Sequence, residues 1–198
     1  MKVQNRALYI YVCILPTVIF CACNGEIMLS LAAAVLTHEL AHMSVLFLLK
    51  GKMKSFRPAP FGFCMEFDES SVSLKGEALV SVAGCAVNIF SFVLSFVLYR
   101  FFSVDILDFG VSSLFLALLN MIPAEPLDGG RLLRLAILAR TDADVACRIS
   151  AVVTYVFGFL LFLFASYALL TSASGIYPLM FSLYIMVGNA KTLEKTFL

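Results

Sequence analysis

Charged residues are scarce in this sequence. Lys, Arg, Asp and Glu make up only 14% of the 198 residues, whereas 62% are hydrophobic. That balance excludes an ordinary soluble domain, in which roughly a quarter of the residues carry charge. The net charge is only +1, and no basic run resembles a nucleic-acid-binding tail. We therefore predict an integral membrane protein that binds no nucleic acid.

Cysteine and histidine are also sparse. The six cysteines are scattered, mostly inside apolar segments, without the paired spacing of a cysteine metal site. Only two histidines occur, His38 and His42, and Glu39 directly follows the first. Positions i and i+4 share one face of an α-helix, so both imidazoles should point at one spot with the glutamate beside them.

The stretch around this pair, residues 27–49, is long and apolar enough to span a bilayer. His38 lies midway along it, roughly 16 Å from either end at 1.5 Å per residue. Three ionisable groups at that depth are costly in lipid and imply a compensating partner such as a cation. A histidine on an apolar helix is more commonly a packed core residue, but the motif here favours a metal site over that structural role.

A catalytic zinc ion usually takes three protein ligands and leaves a fourth position for water. The helix supplies two and no third histidine exists, so the third ligand must be Asp, Glu or Cys. Asp128, beside a predicted Gly-Gly turn, is the leading candidate; Glu125 is second and Cys85 third. Residues 120–130 cannot continue a lipid-facing helix, and irregular backbone at membrane depth is tolerated only when buried or lining a wet cavity.

The apolar segments predict the topology. They run over 7–23, 27–49, 77–99, 109–122, 149–171 and 175–190, and the fourth is short and ends at Pro123, which cannot continue a helix. Six crossings with both termini in the cytoplasm put all fourteen lysines and arginines except Arg100 on the cytoplasmic side. We predict an all-α polytopic membrane protein, with residues 1–198 as a single domain of six transmembrane segments.

Residues 53–75 interrupt this helical pattern. They are too polar to span a membrane, and Pro58, Pro60 and Gly62 exclude a continuous helix. The surrounding apolar and aromatic residues suit short strands. We predict a small membrane-associated β-hairpin that dips into the cytoplasmic face beside the metal site, with a plain surface loop as the alternative.

Three motifs together resemble the site-2 protease family of intramembrane zinc metalloproteases. They are His38-Glu39-x-x-His42, then Asn120-x-x-Pro123 followed by Asp128-Gly129, and Ala83-Gly84-Cys85-Ala86-Val87-Asn88, which is similar to the family's Ala-Gly-Pro-x-x-Asn stretch. The resemblance extends from the second span through the Asp-Gly loop. It departs at Cys85, where the family commonly has proline, and in showing no PDZ or CBS domain.

The resemblance implies a site and a reaction. His38, His42 and Asp128 are expected to hold one Zn²⁺, and Glu39 to act as the acid–base catalyst. Substrate-binding or structural support is expected from four further residues: Asn88, Asn120, Pro123 and Gly129. The implied activity is metalloendopeptidase cleavage of membrane-tethered protein substrates in regulated intramembrane proteolysis. The implied setting is a bacterial cell membrane, with membrane lipid and an inhibitory membrane protein as further partners.

Residues 56–62, Glu66 and 75–77 are similar to the sporulation branch of the family, which activates a membrane-tethered pro-sigma factor. That branch uses its CBS domain to engage the substrate, and no such domain is visible here. Two other functions compete: a divalent-metal transporter, and a catalytically inactive family member acting as a membrane scaffold. Transporters usually show paired halves or repeated broken helices, which this sequence lacks.

Overall fold

The computed structural model describes residues 25–59, 62–171 and 178–187, which are mostly helical. The chain divides into two compact units, Met1–Leu118 and Leu119–Leu198. The predicted segment 7–23 lies outside the described residues. Of the predicted segment 175–190, the structure describes residues 178–187.

The first unit contains two long helices that pack against each other, α1 (Gly25–Leu48) and α2 (Leu74–Phe102). The helix α3 (Leu107–Asn120) begins in this unit and ends just beyond its boundary. The Ser73 hydroxyl caps α2 by accepting a hydrogen bond from the Gly76 N–H. One end of the α1–α2 contact is a small hydrophobic core built on Leu46, Phe67 and Val80.

Two antiparallel strands, β1 (Met53–Ala59) and β2 (Gly62–Phe67), connect α1 to α2. They occupy the first part of the predicted 53–75 segment, and a short 3₁₀ helix, Glu69–Ser71, follows. The Asp68 side chain accepts hydrogen bonds from Ser70 and Lys54. These interactions, with Ser70 first, lower the pKa of Asp68 below its ordinary value. The connection is therefore strand and capped turn, while its association with the membrane stays a prediction.

The second unit contains α4 (Asp128–Leu138), α5 (Ala143–Thr171) and the helix α6 over Pro178–Val187. A Cβ at Gly129 would collide with the carbonyl oxygens of Met121 and Ile122, and one at Gly130 with the backbone at Ala124 and Glu125. The predicted Gly-Gly turn is therefore wrong in form. Both glycines lie in the first turn of α4, where they let the irregular 121–127 segment pack closely on the helix.

Three described helices are long and apolar enough to cross a membrane: α1, α2 and α5. The described residues also include two shorter apolar helices, α3 and α6. The side chains that α2 buries are small or polar, whereas large apolar residues such as Phe90 and Phe96 are exposed. An outward-facing apolar surface is typical of a helix whose solvent is lipid. The prediction of a mostly helical membrane protein agrees with these findings.

Candidate metal centre

His38 and His42 form a buried pair on one face of α1. Their relative exposures are 4% and 6%, and the two rings meet edge to face with centroids 4.6 Å apart. The two Nε2 atoms lie 3.0 Å from each other. Two nitrogens bound to one tetrahedral zinc ion would lie roughly 3.3 Å apart, so the pair is already close to the spacing of shared coordination.

The outer nitrogen of each ring faces a group on α2. His42 Nδ1 lies 2.6 Å from the carbonyl oxygen of Val80. A carbonyl can only accept, so Nδ1 carries the proton and Nε2 keeps its lone pair. His38 Nδ1 lies 3.2 Å from Nδ2 of the Asn88 amide. Metal-binding histidines are typically held in this way by a partner on the nitrogen that faces away from the ion.

Gly84 lies against both rings. A Cβ at this position would be 2.5 Å from His38 Cε1 and 2.5 Å from His42 Nε2, far inside van der Waals contact. The backbone of α2 therefore passes directly over the imidazole pair, and no other residue type fits without displacing a ring.

We expect Gly84→Ala to weaken metal binding, because the added methyl must push at least one imidazole away. Overpacking of this kind costs about 1–3 kcal/mol, which corresponds to roughly 5- to 150-fold in affinity if all of it falls on the metal-bound geometry. Competition for zinc between the purified protein and a chromophoric chelator measures the affinity. Gly76→Ala on the same helix is the control, since its Cβ would meet nothing closer than 3.3 Å, at the flexible end of Leu49. Equal affinity in the native and Gly84→Ala proteins would contradict the expectation.

Glu39 is also buried, at 8% exposure, and it belongs to the same turn of α1 as His38. Its neighbours along α1 are mostly apolar. A carboxylate next to paired histidines is suited to accept and return a proton.

Asp128 is the first residue of α4 and is partly buried. Among the described residues, His38, His42 and Asp128 form a group that could hold a metal ion. These are the three residues that the sequence analysis names as ligands, and their binding of one shared ion stays a prediction.

The two other candidates for the third ligand are outside that group. The Glu125 carboxylate lies 3.5 Å from Arg134 Nε and accepts a hydrogen bond from the Ser150 hydroxyl. The Glu125 backbone N–H donates to the Thr154 hydroxyl at 3.0 Å. The Cys85 thiol donates to the carbonyl oxygen of Ala117. Both side chains therefore have partners of their own inside their respective units.

The remaining predicted residues differ in position. Asn88 contacts a histidine of the pair, and Gly129 is buried against the 121–122 backbone, which is a packing role. Asn120 ends α3 and Pro123 follows in the irregular segment, both partly exposed. Sequence reasoning missed the carbonyl oxygen of Val80. A backbone acceptor leaves no side-chain signal, so only the pairing of α1 with α2 reveals it.

Comparison with known proteins agrees with these features. Residues 104–164 match the model of peptidase family M50. A zinc metalloprotease of Methanocaldococcus jannaschii is 30% identical over 116 residues, which are 56% of this chain and 33% of that protein. The chain thus spans about a third of the length of the curated relative it matches.

A solved structure, the site-2 protease from Methanocaldococcus jannaschii, shares the fold with a TM-score of 0.72. The two are 22% identical, and the match covers 93% of this chain and 88% of that one. The family match includes Asp128 and the helices around it, while the histidine motif precedes it on α1. The chain thus carries helices long and apolar enough to cross a membrane, shares the fold of that site-2 protease, and is similar to peptidase family M50 over residues 104–164.

Proposed function

We propose that this protein is an intramembrane zinc metalloprotease that hydrolyses peptide bonds of membrane-tethered protein substrates. The observation that carries the proposal is the buried imidazole pair, whose Nε2 atoms converge on an apolar helix that also buries Glu39. Similarity to a peptidase family supports the reaction class, and the curated relative is itself a zinc metalloprotease.

The residues present suit a zinc ion. Two neutral imidazoles and one carboxylate are a ligand set that catalytic zinc takes, and Val80 already fixes the His42 ring with Nε2 unprotonated. His38, His42 and Asp128 would hold one ion. When bound, that ion supplies Lewis acidity toward water and toward the carbonyl of the scissile peptide bond.

Glu39 performs the proton transfers. Its carboxylate takes a proton from the water molecule that adds to the peptide carbonyl carbon. It then gives that proton to the departing nitrogen as the C–N bond breaks, which leaves a free acid and an amine. Because Glu39 is buried, these transfers take place away from bulk solvent, where a positioned acid–base group is most effective. Asn120 precedes the irregular segment and Pro123 lies within it, and both would contact the substrate backbone.

The proposal extends to topology. Residues 1–198 form one membrane domain with six crossings, both termini in the cytoplasm of a bacterial cell, and the β1–β2 hairpin resting on the cytoplasmic face. Support comes from the apolar helices α1, α2 and α5, and from the placement of all lysines and arginines but Arg100 on one side. Membrane lipid then contacts the exposed large apolar side chains.

The substrate would be a single-span or otherwise tethered protein, and a sporulation pro-sigma factor is one member of that class. Support for the sporulation branch is the resemblance of residues 56–62, Glu66 and 75–77. An inhibitory membrane partner is the form of control we propose, because unrestrained peptide hydrolysis would damage neighbouring membrane proteins.

Metal removal tests the function. The purified chain, in detergent or vesicles, is expected to cleave at least one protein from a library of tagged single-span substrates. A membrane-permeant zinc chelator should stop cleavage. Stoichiometric Zn²⁺ should restore it, whereas Mg²⁺ should not, because Mg²⁺ prefers all-oxygen octahedral sites. Cleavage that survives complete zinc removal, or a native chain that cleaves no member of the library, would contradict the proposal.

A further inference from the structure

Asn88 is a fully buried amide in the middle of α2, and it contacts a histidine of the candidate metal centre. Its relative exposure is 0%, and its Nδ2 lies 3.2 Å from His38 Nδ1. An amide at this depth in a membrane-spanning helix is costly unless it is hydrogen-bonded. The complete burial of this amide therefore indicates a more specific role for Asn88 than packing.

Val80, Gly84 and Asn88 are spaced four residues apart and share one stripe of α2. The Val80 carbonyl oxygen faces His42 Nδ1, Gly84 lies against both rings, and Asn88 faces His38 Nδ1. This single stripe thus contacts the outer nitrogen of each imidazole. All of these contacts lie within the first unit.

The proton on His38 decides which end of the amide must face it. A neutral imidazole carries one N–H, so a ring that offers Nε2 to a metal ion must carry its proton on Nδ1. That Nδ1–H needs an acceptor, and the Asn88 Oδ1 atom is one. The Oδ1 atom is buried and has no hydrogen-bond partner among the residues that the structure describes. Rotating the amide, whose two ends have nearly the same shape, brings Oδ1 to His38 Nδ1.

We infer that Asn88 is a positioning residue for His38. Its Oδ1 accepts the Nδ1–H bond and holds the ring with Nε2 directed at the metal ion, as the Val80 carbonyl does for His42. The inference rests on the proposed zinc metalloprotease function and adds the group that selects the His38 tautomer. It requires an acceptor at position 88 and does not require a donor.

Two substitutions separate an acceptor role from a donor role. Asn88→Asp keeps an acceptor and removes the donor, whereas Asn88→Leu has a similar size and no polar atom. Zinc affinity of the purified full chain, measured by chelator competition, should fall roughly 10- to 100-fold in Asn88→Leu and stay near the native value in Asn88→Asp. Ser95→Ala is the matched control, since Ser95 is buried on α2 and its hydroxyl has no partner among the described residues.

Native-like zinc affinity in Asn88→Leu would overturn the inference. So would an Asn88→Asp protein that loses as much affinity as Asn88→Leu, because that result would make the amide a donor. If Asn88→Leu fails to fold, the zinc affinity of Asn88→Asp alone decides between an acceptor and a donor at position 88. Imidazole ¹⁵N shifts of the folded protein should in addition show His38 protonated on Nδ1. A native chain that binds no zinc would instead overturn the proposed function itself.

Discussion

Replacing Glu39 with glutamine is expected to abolish peptide hydrolysis while zinc stays bound. Glutamine preserves the shape of the side chain but cannot take a proton from water or return one to the leaving nitrogen. Positioned acid–base groups contribute roughly 10²- to 10⁴-fold to rates, so the cleavage rate should fall by at least about 10²-fold. Single-turnover cleavage of a tagged single-span substrate, run beside a zinc assay of the same preparation, measures both quantities.

Glu26→Gln is the matched control for this variant. Glu26 lies in the first turn of the same helix and is exposed, so its substitution should leave cleavage and zinc content at native levels. A Glu39→Gln protein that cleaves at the native rate would exclude Glu39 as the acid–base group. A native protein that binds zinc and cleaves nothing would instead favour a metal transporter or an inactive scaffold.

Replacing Asp128 with alanine should remove both zinc and activity. Loss of an outer partner of a ligand costs roughly 10- to 100-fold in metal affinity, and loss of a ligand itself should exceed the upper end of that range. Asp128 also begins α4, where a negative charge stabilises a helix by about 0.3–1 kcal/mol. The variant should therefore fold with slightly lower stability, and its zinc content is measured on the folded fraction.

Glu125→Gln is the decisive comparison for Asp128, because Glu125 was the second candidate in the sequence. Its carboxylate faces Arg134 and Ser150 and is about a third exposed, so the ion pair contributes little to stability. Zinc content in this variant should be native. If Asp128→Ala keeps its zinc, or if Glu125→Gln loses it, the assignment of Asp128 as the third ligand is wrong.

The parts of the site that depend on local geometry could be predicted from the sequence. His38, Glu39 and His42 fall within two turns of one helix, and helical periodicity alone places both imidazoles on one face. Asp128 lies far along the chain, and spacing could only rank it above Glu125 and Cys85. Resemblance to a known family, rather than physical derivation, singled it out.

Features that depend on how helices pair could not be predicted in the same way. The Val80 carbonyl has no side-chain signature, and the contact of Gly84 with both rings depends on the alignment of α2 with α1. Gly129 and Gly130 predict a turn that lets another stretch of backbone approach closely. The close approach is present, but it occurs in the first turn of a helix, and sequence composition does not distinguish a glycine in a turn from a glycine packed in a helix.

X-ray absorption at the zinc edge of the native protein tests the central claim most directly. We predict one zinc ion per chain with only nitrogen and oxygen neighbours at about 2.0–2.2 Å. The spectrum should show the outer-shell features of two imidazoles, and the bound zinc should be lost in Asp128→Ala. A sulfur neighbour at about 2.3 Å, which would implicate a cysteine such as Cys85, or a native protein without stoichiometric zinc, would contradict it.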